Sequence, residues 1–246
     1  MATEEGKRGR QFRGRILYTS RKPERLGQER GREWWSIVVG ANGWRTLHSQ
    51  SEIDDSPTVL RHVTLTVDDH WSPRQAHVRI AVEGVDVGSS WYRFEDGLGE
   101  CEGYTAAEGR LSQRVKYEEP LRGLISHPIQ ADAWLCSAYP LEEGPGTRTM
   151  RFLTTSHDHR GATGPMLLRD VTNWSFVGRE RIEVAAGTFD ALHFYLGSDD
   201  TWAEGDVSHH PPYHIWCTAD GNYIFLRAHV AGYMQTHYEL EHLEPR

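Results

Sequence analysis

HVRIAVEGVDVGSSWYRFEDGLGECEGYTAAEGRLSQRVKY, residues 77–117, alternates apolar and polar side chains around three turn dipeptides, Glu83-Gly84, Asp96-Gly97 and Glu108-Gly109. Such dipeptides favour the positive φ of tight hairpins, and cross-strand partners share a face, so each assumed turn predicts which side chains lie together. With Glu83-Gly84 as the loop, Val82 faces Val85, Ile80 faces Val87 and Val78 faces Ser89, leaving His77, Arg79, Asp86 and Ser90 outside. Through Asp96-Gly97 the register pairs Trp91 with Glu102, Arg93 with Glu100 and Ser89 with Tyr104. The next hairpin adds Leu111, Gln113 and Val115 to the inner face. Upstream, an Asn42-Gly43 turn and an Asp54–Pro57 loop put Trp35, Ile37, Val39, Trp44, Thr46, His48, Val63, Leu65 and Val67 inside. Agreement along the whole run predicts a mainly β chain built on a continuous antiparallel meander.

The inner face so drawn is not purely apolar. Trp91, Arg93, Glu100, Glu102, Tyr104 and Gln113 gather near one end, with His48, Gln50 and Arg61 elsewhere on it. Unpaired buried charges are costly, so this end either opens to water or lines a polar cavity. One helix interrupts the strands in SHPIQADAWLCSAYP, residues 126–140, where Ser126 can cap, Pro128 suits a first turn and Pro140 stops the run. Trp134 lies on its apolar side, and HDHRGATGP, residues 157–165, reads as a loop and candidate lid. Further strands are expected over 147–154, 171–184, 189–196, 213–217, 223–230 and 233–240. Around residues 185–188 a hairpin sets Glu180 opposite His193. The register of the last hairpin, through Ala231-Gly232, stays open between a two-residue and a three-residue loop.

The stretch VGRERIEVAAGTFDALHFYL, residues 177–196, resembles a signature of bacterial domains of unknown function that fold like lipoprotein carriers. Its core is a Val-x-Ala-Gly-Thr-Phe-x-Ala hairpin, followed later by a strand like YHIWCTADGNYIFLRAHV, residues 213–230. A helix like QADAWLCSAYPL and a Gly-Pro-Gly loop precede it, and the resemblance covers roughly residues 80–245. The resemblance implies a large antiparallel sheet rolled into an open barrel, one helix packed against its concave side, and an apolar ligand cavity. It carries over no catalytic residues.

Composition bounds the rest. The 246 residues include 38% hydrophobic and 25% charged side chains, nine Trp and 14 His, which suits a domain with a sizeable core and excludes low-complexity and disordered classes. Charge is uneven: residues 1–32 carry +6 and the remainder −14, giving the stated −8. The expected organisation is a basic arm, residues 1–32, partly flexible or lying on the acidic body, and one open barrel, residues 33–246. An acidic body repels phosphates, so nucleic acid is not an expected partner. No apolar run is long enough to span a membrane, and MATEEGKRGRQFRGR lacks the apolar core of a secretory signal. Together with three widely spaced cysteines, Cys101, Cys136 and Cys217, this points to reduced thiols and a cytoplasmic setting. A homodimer stays open.

Candidate chemistry follows from residue types. Trp91, Arg93 and Gln113 with His48 could hold an aromatic or carboxylated ligand, while Glu102 and Tyr104 could exchange a proton. Glu180 could orient His193 as a general base, with Tyr195 farther along the same face. HHPPYH, containing His209, His210 and His214, leads into Tyr213, and His210 and Tyr213 are candidates for the barrel mouth, as is Trp134 of the helix. Neither this cluster nor His157-Asp158-His159 has recognised metal-site spacing, and P-loop, dinucleotide and GxSxG motifs are absent, so no metal and no cofactor are expected. The expected function is binding of a small apolar or aromatic molecule in the barrel, with conversion by cofactor-independent acid/base chemistry of the isomerase, lyase or cyclase type. The alternative is a non-catalytic carrier or structural module for an acyl chain or lipid.

Overall fold

The computed structural model describes residues 10–197, 210–232 and 234–245. Every strand among them belongs to one 15-stranded sheet. Its strands are β1 (Arg10–Ser20), β2 (Glu29–Val39), β3 (Arg45–Ile53), β4 (Val59–Val67), β5 (Pro73–Val82), β6 (Val85–Glu95), β7 (Leu98–Thr105) and β8 (Gly109–Lys116), then β9 (Leu124–Ile125). After helix α1 (Ile129–Leu135) come β10 (Gly146–Thr154), β11 (Leu168–Val184), β12 (Gly187–Leu196), β13 (Tyr213–Thr218), β14 (Phe225–Val230) and β15 (Thr236–Pro245). The order runs β8 down to β1, then β15 down to β9, so β1 sits in the middle, antiparallel to both β2 and β15.

The central place of β1 corrects the expected basic arm of residues 1–32. Ile16 and Tyr18 alternate into the core while Arg15 points to the other face, so the positive charge belongs to one side of a buried strand. Residues 1–9 lie outside the described residues. Arg15 pairs with Glu29 and Glu241, and Arg32 with Glu52 at 2.7 Å, so the basic segment is neutralised by the domain's own carboxylates.

Three irregularities decide which faces point inward. The β2–β3 loop is residues 40–44, with Val39 opposite Arg45, rather than the Asn42-Gly43 dipeptide alone. That one-residue slip turns Leu47, Ser49 and Ser51 inward and puts Trp44, Thr46 and His48 outside, contrary to expectation. The next loop, residues 54–58, is also one residue longer than expected and restores Val63, Leu65 and Val67 to the core. In β6, Val87 is an extra residue: Val82 still faces Val85, but Ile80 faces Gly88. Beyond this bulge Ser90, Tyr92 and Phe94 turn inward, and Trp91 and Arg93 turn outward. The pairs Trp91–Glu102, Arg93–Glu100 and Ser89–Tyr104 form as expected, on the opposite face. Leu111, Gln113 and Val115 do lie on the inner side, opposite Gly103, Cys101 and Gly99.

The sheet curls without closing by strand pairing. Its ends approach through the segment between β10 and β11: Leu167 N donates to Gln113 Oε1 at 2.8 Å, Ser90 Oγ to the Pro165 carbonyl at 2.9 Å, and Arg169 to the Lys116 carbonyl at 2.8 Å. The result is an open barrel with α1 on its concave side. Aromatic rings fill the space around the helix and the segment that follows it, with Phe176 and Phe194 at 5.1 Å and Tyr139 edge-on to Phe194 at 5.9 Å. Each such fully buried side chain contributes about 1.5–3 kcal/mol by leaving water. Gln130 ties the helix to the sheet, donating to the Tyr223 carbonyl at 3.1 Å and accepting from Phe225 N at 3.0 Å. In the last hairpin Val230 faces Thr236 and Ala228 faces Tyr238, a connection longer than either loop expected but with the parity of the three-residue one, so apolar and polar sets separate. All three cysteines are buried and unpaired.

Gly88 makes the bulge possible. Its φ is +150°, and a Cβ there would stand 2.5 Å from the Tyr104 carbonyl oxygen. Gly84 at the hairpin tip has φ +73° and open space around it. Gly88→Ala is expected to lower unfolding stability in urea by at least about 2 kcal/mol, against about 1 kcal/mol for Gly84→Ala. Equal effects would show that the bulge does not depend on this glycine.

Candidate functional site

The concave side holds a polar layer whose centre is Glu33. It follows the inward register of Trp35 and Ile37 in β2 and is 0% exposed. Its carboxylate accepts Tyr18 Oη at 3.0 Å, Ser51 Oγ at 3.4 Å, and the backbone N–H groups of Ile129 at 2.6 Å and Gln130 at 3.2 Å. Burial raises its pKa, and the N–H and hydroxyl donors work against that rise. Arg61 of β4, 2% exposed, donates to the carbonyls of His127 at 3.2 Å, Arg160 at 2.6 Å and Gly161 at 2.8 Å. One guanidinium thus holds both the lead-in to α1 and the loop of residues 155–167. Gly161 permits this approach, since a Cβ there would lie 2.6 Å from Arg61 Nη2.

Between these anchors lies a cavity of about 60 Å³, room for a few waters or a small anion. Arg30, Arg61 and Arg160, with His127, His159 and His210, supply most of its polar lining, joined by Asp132 and by hydroxyl side chains such as Tyr213 and Tyr238. Asp132 projects from α1 with Tyr213 Oη at 3.4 Å. Burial, reinforced by the charge of Glu33, pushes its carboxyl up to about 8, while Arg61 and the Tyr213 bond act the other way. At neutral pH it is a neutral hydrogen-bond donor. His127 sits at φ +72° with its Nε2 buried and without a hydrogen-bond partner. Burial and the nearby Arg61 hold its pKa well below the usual histidine range. Burial likewise lowers His210 to about 4, and its ring meets that of His159 edge-on at 5.2 Å. Among the described lining residues the formal charge at pH 7 is therefore positive, carried by guanidinium groups.

Of the residues expected from sequence, His210 and Tyr213 line this cavity. Trp134 is buried and packs edge-on against Trp71 at 5.6 Å, in the core rather than on the cavity wall. Gln113 faces inward but holds Leu167 N. His48, Trp91, Arg93, Glu102 and Tyr104 do not converge on the barrel interior. The loop slip and the bulge put them on the outer face, where Tyr104 is 62% exposed and Glu102 accepts Ser112 Oγ at 2.6 Å. His193 lies opposite Gly178, and Glu180 opposite Ala191, because the hairpin loop is the two residues Ala185-Ala186. The two side chains still meet at 3.3 Å. His193 stacks on Trp216 at 4.0 Å and shares a 2.9 Å hydrogen bond with His214, whose ring lies 4.5 Å from that of Tyr195. This group occupies the face opposite Phe194, and burial, with the His214 ring alongside, lowers His193 to about 4. His209 lies outside the described residues. Among the described residues no group of three or more His, Cys, Asp or Glu could hold a metal ion.

The expectations missed Tyr18, Arg30, Glu33, His127, Asp132 and Arg160. Glu33 was legible, since it continues the Trp35–Ile37–Val39 alternation one step toward the N-terminus. Asp132, set between Ala131 and Ala133 in the helix, offered a weaker signal.

Over 97% of its length the chain superposes on 98% of a β-barrel-like protein of the domain of unknown function DUF1849 from Brucella abortus, with TM-score 0.58 and 11% identity. A DUF1089 family protein from Pseudomonas aeruginosa aligns over 82% of this chain and 91% of its own at 12% identity, with TM-score 0.43. No family model and no curated protein matches the sequence. The first likeness is one of fold, to a β-barrel-like domain as the resemblance implied; the Val-x-Ala-Gly-Thr-Phe-x-Ala signature itself is matched by no family model.

A carboxyl whose pKa is raised on folding stabilises the protein below its unfolded value and loses that contribution as pH rises through the folded one. For Asp132 the window runs from 3.8 toward about 8. Urea unfolding followed between about pH 5 and 9 is expected to show Asp132→Asn gaining on the unsubstituted protein by more than about 1 kcal/mol. Parallel curves would place the carboxyl in its ordinary range.

Proposed function

We propose that the protein is a ligand-binding open barrel whose ligand is a small anion, carboxylate or phosphate in chemistry, held in the cavity beside α1. The observation that carries this reading is the charge of the lining. Arg61 and Arg160, held by backbone carbonyls, contribute cations there, Arg30 adds donors while paired with Asp55, and Asp132 is uncharged at pH 7. Guanidinium groups and a neutral carboxylic acid all donate, and none repels an anion. A polar cavity of about 60 Å³ suits such a ligand better than the apolar molecule or acyl chain expected from sequence, which would strand the lining donors unpaired.

Anion binding in this setting takes up protons. His127 and His210 are kept neutral by burial, and a neighbouring negative charge favours their protonated forms. Affinity therefore rises as pH falls from neutral. A second reading adds proton transfer on the bound anion, and it is favoured by one observation, the Asp132 carboxyl near 8 within reach of Tyr213.

Thermal unfolding with phosphate, sulfate, acetate and pyruvate tests the proposal. At least one anion at about 100 times its Kd is expected to add about 2.7 kcal/mol, or roughly 5–10 °C in Tm, more at pH 6 than at pH 8. Arg160→Ala is expected to abolish the shift, whereas Asp132→Asn, which keeps a neutral donor, retains it. No stabilisation by any of these anions, or an undiminished shift in Arg160→Ala, would refute the reading.

A further inference from the structure

The face of β2–β6 that points away from the core carries a chemically different feature. Trp34 stands 41% exposed beside an open depression of about 430 Å³. Its polar floor is made by Ser36, His48, Gln50, His62, Thr64 and His77, one side chain after another across four strands. Trp91, also 41% exposed, is the cross-strand partner of His77 and continues the row onto β6. Two indoles thus flank a strip of imidazole, amide and hydroxyl groups. Four strand spacings of about 4.8 Å separate their strands, or about 19 Å.

Several of the charges that border the strip are already paired. Arg79 meets Asp86 at 2.8 Å, Arg32 meets Glu52 at 2.7 Å, and Arg15 lies over the Trp34 ring at 5.7 Å while engaging Glu29 and Glu241. Arg13 stands exposed on β1 opposite Ser36, at one end of the strip, but no lysine or arginine lines the depression itself, so a phosphate or an acidic peptide finds no cation in its floor. His48 bonds Thr64 at 3.2 Å and Gln50 donates to Glu52 at 2.9 Å, but a purely apolar partner would strip water from the His62 and His77 imidazoles without replacing its hydrogen bonds, a penalty that contact with two indoles does not offset.

We infer that this outer strip binds a neutral oligosaccharide. Sugar rings combine apolar C–H faces, which stack on the electron-rich faces of Trp34 and Trp91, with hydroxyls that both donate and accept. Imidazole, amide and hydroxyl side chains match that dual character without charge. The length of the strip takes several linked rings rather than one, so affinity accumulates along the chain. This site lies on the opposite face of the sheet from Glu33 and Asp132 and does not depend on the anion reading.

The test uses the full chain with maltohexaose, cellohexaose, xylohexaose and chitohexaose, followed by tryptophan fluorescence and calorimetry. At least one is expected to bind with a change in tryptophan emission. Trp34→Ala and Trp91→Ala, at half-exposed positions, should each weaken binding at least about tenfold with little loss of thermal stability. The corresponding monosaccharide should bind far more weakly, and Arg160→Ala should bind the oligosaccharide normally. Failure of all four hexasaccharides to bind, or undiminished binding by Trp34→Ala, would overturn the inference. So would self-association in sedimentation that Trp34→Ala abolishes, since the strip would then be covered by a second copy.

Discussion

A single buried carboxylate organises the concave side of the sheet. Glu33 gathers the Tyr18 hydroxyl from β1, the Ser51 hydroxyl from β3 and the first backbone N–H groups of α1 onto one group. A charge this deep is tolerated only with such a set of donors, and removing them would leave an uncompensated ion. The start of the helix therefore has one place to sit, at Glu33 of β2, while Gln130 ties it to β14 and its body packs against β9, β13 and β14. Arg61 repeats the logic with opposite sign, using three backbone carbonyls to draw the loop of residues 155–167 against the helix lead-in. The cavity is the space these two polar anchors hold open.

That origin explains its chemistry. Side chains near the anchors are removed from bulk water but not all are paired, so their proton affinities move in the directions burial dictates. Asp132 stays protonated, and His127 and His210 stay neutral. The charges that remain are the guanidinium groups on the cavity wall, with Asp55 beside Arg30, and the Glu33 carboxylate enclosed by its own donors. The same sheet presents an opposite solution on its outer face, where histidines and indoles stand in water and the neighbouring charges pair off among themselves.

The architecture was largely legible in the sequence because the strand alternation is strong and the turn dipeptides are explicit. The meander, the helix after Pro128 and the later strands all follow from it. The faces were less legible, because side-chain direction depends on parity, and parity turns on single residues. The Asp96-Gly97 hairpin obeyed its turn rule, and its cross-strand pairs form as expected. One extra residue at Val87 nevertheless inverted their face and carried Trp91, Arg93, Glu102 and Tyr104 outward together. No local pattern announces such a bulge except Gly88, and a glycine after Val-Asp-Val reads equally well as part of a strand. The β1 strand was hidden for another reason. Its outward arginines made a charge run that masked the inward Ile16 and Tyr18. The cavity itself draws on β1–β4, β13–β15, α1 and the loops around them, a convergence that only the curl of the sheet creates.

The central claim is that the interior of this barrel is a polar, electropositive site with a carboxylic acid kept neutral at physiological pH. Carbon-13 NMR of aspartate-labelled protein, with Asp132→Asn to assign the resonance, measures this directly. The Asp132 carboxyl carbon should titrate with a midpoint near pH 8. A midpoint in the ordinary aspartate range, near 4, would mean that the carboxyl is ionised and solvated at neutral pH, and the account of the cavity would fail.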